Sequence, residues 1–128
     1  MARLILLQPD GSTRQVTLAE VPFSIGRTPG CDLVIDDPLV SRRHAVIEQA
    51  DGALRIDDLD SHNGTFVNGK RVRHCVLAHG DELRIAECRL RFLATGGELA
   101  PAEALRLVTV PGRLGELELQ KLAPRPRP

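Results

Sequence analysis

Apolar residues in this chain come in short runs broken by Gly, Pro, Asn and Asp, and no useful helical period precedes Ala94. Leu4 to Leu7 lead to the turn signal Pro9-Asp10-Gly11-Ser12, beyond which Val16 and Leu18 alternate with polar residues, which predicts a first hairpin. Phe23-Ser24-Ile25 runs into Gly26-Arg27, and Asp32 to Ile35 follows Pro29-Gly30. Ala45-Val46-Ile47 reaches a turn at Asp51-Gly52, after which Leu54 and Ile56 alternate with charged residues. Thr65-Phe66-Val67, Asn68-Gly69 and Lys70 to Arg73 predict a tight hairpin, because Asn-Gly tolerates the positive φ that both central residues of a type I′ turn require. Past Gly80-Asp81, Leu83 and Ile85 flank Arg84, and Cys88, Leu90 and Phe92 alternate with Arg89 and Arg91. This last period of two predicts a strand with one apolar face and one solvated, cationic face. Strands so spaced predict an all-β antiparallel sandwich or barrel.

The pattern changes at Thr95-Gly96-Gly97, which places a boundary near residue 95 between a domain over 1–94 and a partly helical or flexible tail over 95–128. Pro101 to Leu107 predict one short helix with Pro101 in its first turn. Leu114, Leu117, Leu119 and Leu122 fit helix and strand alike, and the Arg-Pro repeats at the end predict extended, solvated chain.

Composition narrows the class of function. The 128 residues suffice for one domain, and 42% hydrophobic with 27% charged residues is the balance of a folded globular chain. Aromatics are 2% and the formal net charge is zero, which argues against base stacking and against a general nucleic-acid binder. Cys31, Cys75 and Cys88 are odd in number and widely spaced, with no Cys-x-x-Cys pair. They predict neither a disulfide framework nor a thiolate zinc site, and point to a reducing, cytoplasmic setting. The run Leu4 to Leu7 is too short for a signal-peptide core or for membrane insertion.

Candidate chemistry sits in the turns. Arg27 and Arg42 offer guanidinium forks suited to phosphate oxygens, Ser41 adds a hydroxyl, and His62 with the Asn63 amide adds hydrogen-bonding capacity. Gly26 and Gly64 allow close approach of backbone to a ligand. Together these residues suit recognition of a dianion.

The order Gly26-Arg27, then Ser41 with His44, then Asn63-Gly64-Thr65, then Asn68-Gly69 resembles the signature of forkhead-associated (FHA) domains. Ile35-Asp36-Asp37-Pro38 and Gly80-Asp81 fit the same family, and the resemblance covers residues 3 to 94. It implies an eleven-stranded β-sandwich that binds a phosphothreonine peptide across loops at one end, without cofactor or metal. The expected partner is a phosphothreonine-containing protein of a Ser/Thr kinase pathway, with the chain as adaptor or sensor; the Arg- and Leu-rich style suits a bacterial member. By the same resemblance Arg27 contacts the phosphate, Ser41 donates its hydroxyl to it, Arg42 supplies a second cation, and Asn63 holds the peptide backbone. His62 touches the phosphate or lines the rim. Gly26, His44, Gly64, Asn68 and Gly69 shape the loops, and Thr65 fixes its loop or borders the threonine methyl pocket. Selectivity is expected from Leu59 to His62 and from Arg73 to Val76 treated as loops.

Other readings stand beside this one: a phospho-independent scaffold of the same fold, a serine hydrolase built on Ser41, His44 and Asp58, or a metal site from His62, His74 and Cys75. The remaining histidines, His74 and His79, read as surface residues. Thr109 is a candidate for phosphorylation and return of the tail into the site, where a tethered ligand acts at high effective concentration.

Overall fold

The alternating runs pair into two sheets. The computed structural model describes residues 2–94 and 99–115. Its strands are β1 (Arg3–Leu7), β2 (Thr13–Thr17), β3 (Phe23–Gly26), β4 (Leu33–Val34), β5 (Ala45–Ala50), β6 (Ala53–Asp58), β7 (Thr65–Val67), β8 (Lys70–Val72), β9 (His74–Val76), β10 (Glu82–Ile85) and β11 (Cys88–Leu93), followed by α1 (Pro101–Thr109). A six-stranded sheet in the order β2-β1-β11-β10-β7-β8 faces a five-stranded sheet in the order β4-β3-β5-β6-β9. The eleven-stranded sandwich expected from the resemblance is therefore the observed fold. Two details depart from the sequence expectation. The pair β3–β4 is parallel, so the smaller sheet is mixed. The segment Arg73 to Val76, expected as loop, contains edge strand β9, held to β6 in the register Ile56↔Cys75. Three residues alternating between exposed and half-buried side chains leave too little apolar signal for a strand to be read from sequence.

Inward positions follow the period of two. Leu4, Ile25, Leu33, Ile47, Ile56, Leu83, Ile85 and Leu90 are fully buried between the sheets and form one core. Branched aliphatic side chains pack well on pleated surfaces, which is how a chain so poor in aromatics fills its interior. The turn Asn68-Gly69 has φ of 50° and 84°, as the type I′ reading requires. Asn68 does more than turn: its side chain donates to Asp81 Oδ1 (3.1 Å) and accepts from the Glu82 N–H (3.0 Å), locking β7–β8 to β10.

The outer face of the larger sheet corrects a further expectation. Arg91 is not solvated; it is fully buried. A second apolar cluster of Ile5, Leu93, Ala104, Leu107, Val108 and Leu114 lies over it. The helix forms where Pro101 occupies the first turn and Glu103 faces the positive helix end. Its buried residues Ala104, Leu107 and Val108 recur at i, i+3 and i+4 and pack on β1 and β11. The Gln15 amide brackets the incoming chain, donating to Leu99 O (2.7 Å) and accepting from Leu99 N–H (2.8 Å). Arg91 donates to the carbonyls of Leu107 (2.9 Å), Val110 and Gly112 at and just beyond the helix end, where backbone acceptors lack intrahelical partners, and to Gly80 O (2.8 Å), which also accepts the Leu114 N–H (3.1 Å). Burial pulls its pKa down, yet an arginine keeps its proton. Arg89 is half-buried and donates to Glu82 (2.9 Å) and to Thr109 O (3.1 Å). His79 is likewise no simple surface residue: it is half-buried, its Nδ1 accepts from the Ala94 N–H (2.8 Å), and burial lowers its pKa. The boundary at Thr95-Gly96-Gly97, Leu117, Leu119 and Leu122 and the Arg-Pro repeats lie outside the described residues.

Replacing Arg91 with Ala strands several buried carbonyls and removes charge-assisted hydrogen bonds. A loss of about 3 kcal/mol in unfolding free energy is expected, with faster amide exchange in α1. Urea denaturation and hydrogen exchange measure both; unchanged stability with α1 still protected contradicts the clamp.

Candidate functional site

Three connections meet at one end of the sandwich: β3–β4 carrying Arg27, β4–β5 carrying Ser41, Arg42 and His44, and β6–β7 carrying His62, Asn63 and Gly64. What brings the first two together is the absence of a side chain at residue 26. A Cβ built on Gly26 falls 2.3 Å from Arg42 O and 2.8 Å from Cys31 Sγ, so the loops touch only because residue 26 is glycine. Through that gap the Arg27 N–H reaches both Ser41 O (3.0 Å) and Arg42 O (3.1 Å). The second and third connections are joined by His44, which is fully buried. Its Nδ1 accepts the Ser41 N–H (3.1 Å), so Nε2 carries the proton and donates to Gly64 O (2.8 Å).

On this frame the polar groups point outward with capacity to spare. Arg27 is exposed and uses Nε on Val40 O (3.0 Å), leaving both terminal amino groups without a protein acceptor among the described residues. Ser41 Oγ accepts the His62 N–H (3.1 Å), which leaves its own proton for another acceptor. Asn63 is exposed and donates from Nδ2 to Leu39 O (2.7 Å), with its amide oxygen unused. Arg42 and Arg43 are exposed beside Ser41. The structure thus brings Arg27, Ser41, Arg42, His62 and Asn63 to one surface.

Beneath that surface lies an anchor that sequence reasoning missed. The Asp58 carboxylate accepts from Ser61 Oγ (2.5 Å), Ser61 N (3.1 Å) and Thr65 Oγ1 (2.8 Å), and Ser61 Oγ in turn accepts the Gly64 N–H (3.0 Å). Burial raises the Asp58 pKa, but the hydrogen bonds from Ser61 and Thr65 outweigh it and leave the carboxyl below its ordinary 3.8. The readable signal was an Asp followed three residues later by Ser at a strand end, the pattern of a side-chain-stabilised turn. Thr65 is fully buried and fixes this loop; it offers no surface to a methyl pocket. Ser41, His44 and Asp58 do not assemble as nucleophile, base and orienter. Both imidazole nitrogens serve backbone groups, and Asp58 serves Ser61 and Thr65. Among the described residues, His62, His74 and Cys75 form no ligand group. Thr109 is exposed at the end of α1, its hydroxyl donating to Leu105 O (2.8 Å).

Known proteins are similar to this chain in sequence and fold. The family model described as "FHA domain" matches residues 23–86. The chain is 39% identical over 92 residues to the glycogen accumulation regulator GarA of Mycolicibacterium smegmatis, covering 72% of this chain and 58% of that protein. It is 44% identical over 68 residues to the oxoglutarate dehydrogenase inhibitor of Corynebacterium diphtheriae, covering 53% of this chain and 48% of that one. The chain thus spans only about half the length of these curated relatives. Among solved structures, Mycobacterium tuberculosis EmbR in complex with a low-affinity phosphopeptide matches with a TM-score of 0.68 at 33% identity, over 78% of this chain and 26% of that one. The FhaA FHA domain, complexed with the intracellular domain of Rv3910, matches with a TM-score of 0.65 at 33% identity, over 72% and 99%.

The Asp58 anchor predicts a pH signature. With a depressed folded pKa, its stabilisation is complete above 3.8 and disappears as pH falls through the folded value. Asp58→Ala is expected to cost about 2 kcal/mol at neutral pH, and the gap to the parent should narrow as pH falls below 3.8. Urea titrations across that range measure it; a gap independent of pH excludes the ionised carboxylate as its source.

Proposed function

The chain belongs to the FHA domain family, and from that premise we propose that it is a phosphothreonine-dependent binding module acting as adaptor or sensor in Ser/Thr kinase signalling. The observation that carries this reading is the pairing of the Arg27 terminal amino groups with the Ser41 hydroxyl proton. Both are free of protein acceptors among the described residues and are held on adjoining backbone by Val40 O and the His62 N–H. A phosphoryl group has the charge and acceptor count to use both. Arg27 takes two of its oxygens as a fork, Ser41 donates to the third, and Arg42 adds positive potential at the rim. Asn63, anchored through Leu39 O, presents its free amide oxygen to a peptide N–H. His62 lines the edge.

Binding is the whole of the proposed activity. A catalytic role needs a base for Ser41, and His44 is committed on both nitrogens. The binding unit is residues 1–94, and the chain acts in the cytoplasm, consistent with free thiols at Cys31, Cys75 and Cys88. Among the described residues no helix is long and apolar enough to cross a membrane. Relatives named as a regulator of glycogen accumulation and as an inhibitor of oxoglutarate dehydrogenase support an output through a bound partner, with no chemistry performed by the module itself.

Arg27→Ala is expected to weaken binding to a phosphothreonine peptide by about 100-fold or more, since each charge-assisted hydrogen bond contributes about 1.5–3 kcal/mol. The matching phosphoserine peptide should bind the parent several-fold more weakly, because one buried methyl contributes about 1 kcal/mol. Calorimetry against an oriented peptide library measures both, with unfolding curves confirming that the variant is folded. Parent-like binding by the folded variant removes Arg27 from the site.

A further inference from the structure

The loop that presents Asn63 continues into β7, and a cationic feature begins there that phosphate recognition does not use. In the registers Phe66↔Arg71 and Arg84↔Phe66, cross-strand partners share a face, so Arg71, Phe66 and Arg84 form a row across β8, β7 and β10 on the outside of the larger sheet. Both arginines are exposed, and both are ordered by contacts that leave their donors free. The Arg71 guanidinium lies over Gly64, where a Cβ would stand 2.6 Å from its Nε. The Arg84 guanidinium lies 4.5 Å from the centre of the Phe66 ring. Neither has a carboxylate partner among the described residues; the nearest acid on that face, Glu82, is taken by Arg89 at 2.9 Å. Arg89 and α1 close the row at its far end through Thr109 O. The row is therefore a short, pre-ordered stripe of positive charge that starts against the residue following Asn63.

We propose that this stripe is a second contact surface for the same partner, taking an acidic segment that flanks the phosphothreonine. The proposal rests on the phosphothreonine reading for where the peptide begins, and on Arg71 and Arg84 for where it goes. Ordered arginines lose little side-chain freedom on binding, which favours recognition over a merely solvated face. Arg71 and Arg84 stand two strand spacings apart, about 10 Å, and a peptide in the polyproline II conformation advances about 3.1 Å per residue with every third side chain on the same face. The preferred ligand therefore carries two carboxylates three positions apart.

Three phosphothreonine peptides test this: one with neutral flanks, one with a Glu pair three residues apart before the phosphothreonine, and one with the pair after it. At low salt one acidic peptide should bind the parent about five- to ten-fold tighter than the neutral one, and the gain should vanish near about 0.5 M NaCl. The double variant Arg71→Gln, Arg84→Gln should lose that gain while keeping the neutral-peptide affinity. The charge-reversed variant Arg71→Glu, Arg84→Glu should prefer a Lys pair at the same positions, which a purely structural role would not produce. No gain in the parent, or a gain retained by the double Gln variant, overturns the proposal. The unphosphorylated acidic peptide separates this from failure of the phosphate site: it should shift the Arg71 and Arg84 Nε–H resonances in both the parent and Arg27→Ala. Shifts confined to other residues overturn the stripe, and tighter perturbation by a single-stranded oligonucleotide overturns the choice of a protein partner.

Discussion

A buried imidazole ties this binding end together. His44 accepts the Ser41 N–H on one side and donates to Gly64 O on the other, so two connections that share no strand pairing are set to one geometry. Because the ring is fully buried, neither backbone group has water as an alternative. Removing the imidazole would leave a donor and an acceptor unsatisfied together, the costly case for buried polar groups. The hydroxyl of Ser41 and the amide of Asn63 are adjacent to the residues that His44 holds. Their placement therefore follows from a side chain that a ligand never touches.

The same economy governs Arg27 and Ser41. Each side chain makes one hydrogen bond among the described residues, which restricts its direction and leaves further donors unspent. Pre-ordering of this kind lowers the entropy lost on binding. It also explains why Gly26 belongs to the site as much as any charged residue: its missing Cβ lets the strand end approach Arg42 O, and the Arg27 backbone is then bonded on two carbonyls.

Much of this was legible before any coordinates. Alternation of apolar and polar residues located nearly every strand, because the sandwich core imposes a period of two on residues such as Leu83 and Ile85. The ordered loop motifs located the residues that converge. Asp58 was harder to see, since a lone aspartate at a strand end looks like any turn residue until its three donors are in place. Strand β9 was obscured by its length. The burial of Arg91 had a signal that went unused: Leu4 to Leu7 is apolar without alternation, and Leu93 follows Phe92 directly. Continuous runs of that kind mark strands covered on both faces, and α1 is the cover.

Three arginines on neighbouring strands show how far context decides what one side chain does. Arg91, Arg89 and Arg84 all leave the core on the outer face of the same sheet. Arg91 lies beneath the helix end, and four carbonyls, three from the helix end and its sequel and one from Gly80, make its burial tolerable. Arg89, at the helix margin, divides its donors between Glu82 and Thr109 O. Arg84 lies beyond the helix, with an aromatic ring beneath it and no anion opposite. The gradient from satisfied to unsatisfied charge runs towards Gly64 and the loops that carry Ser41 and Asn63. At Arg71 and Arg84 folding supplies order without a carboxylate among the described residues, which is the condition a negatively charged partner needs.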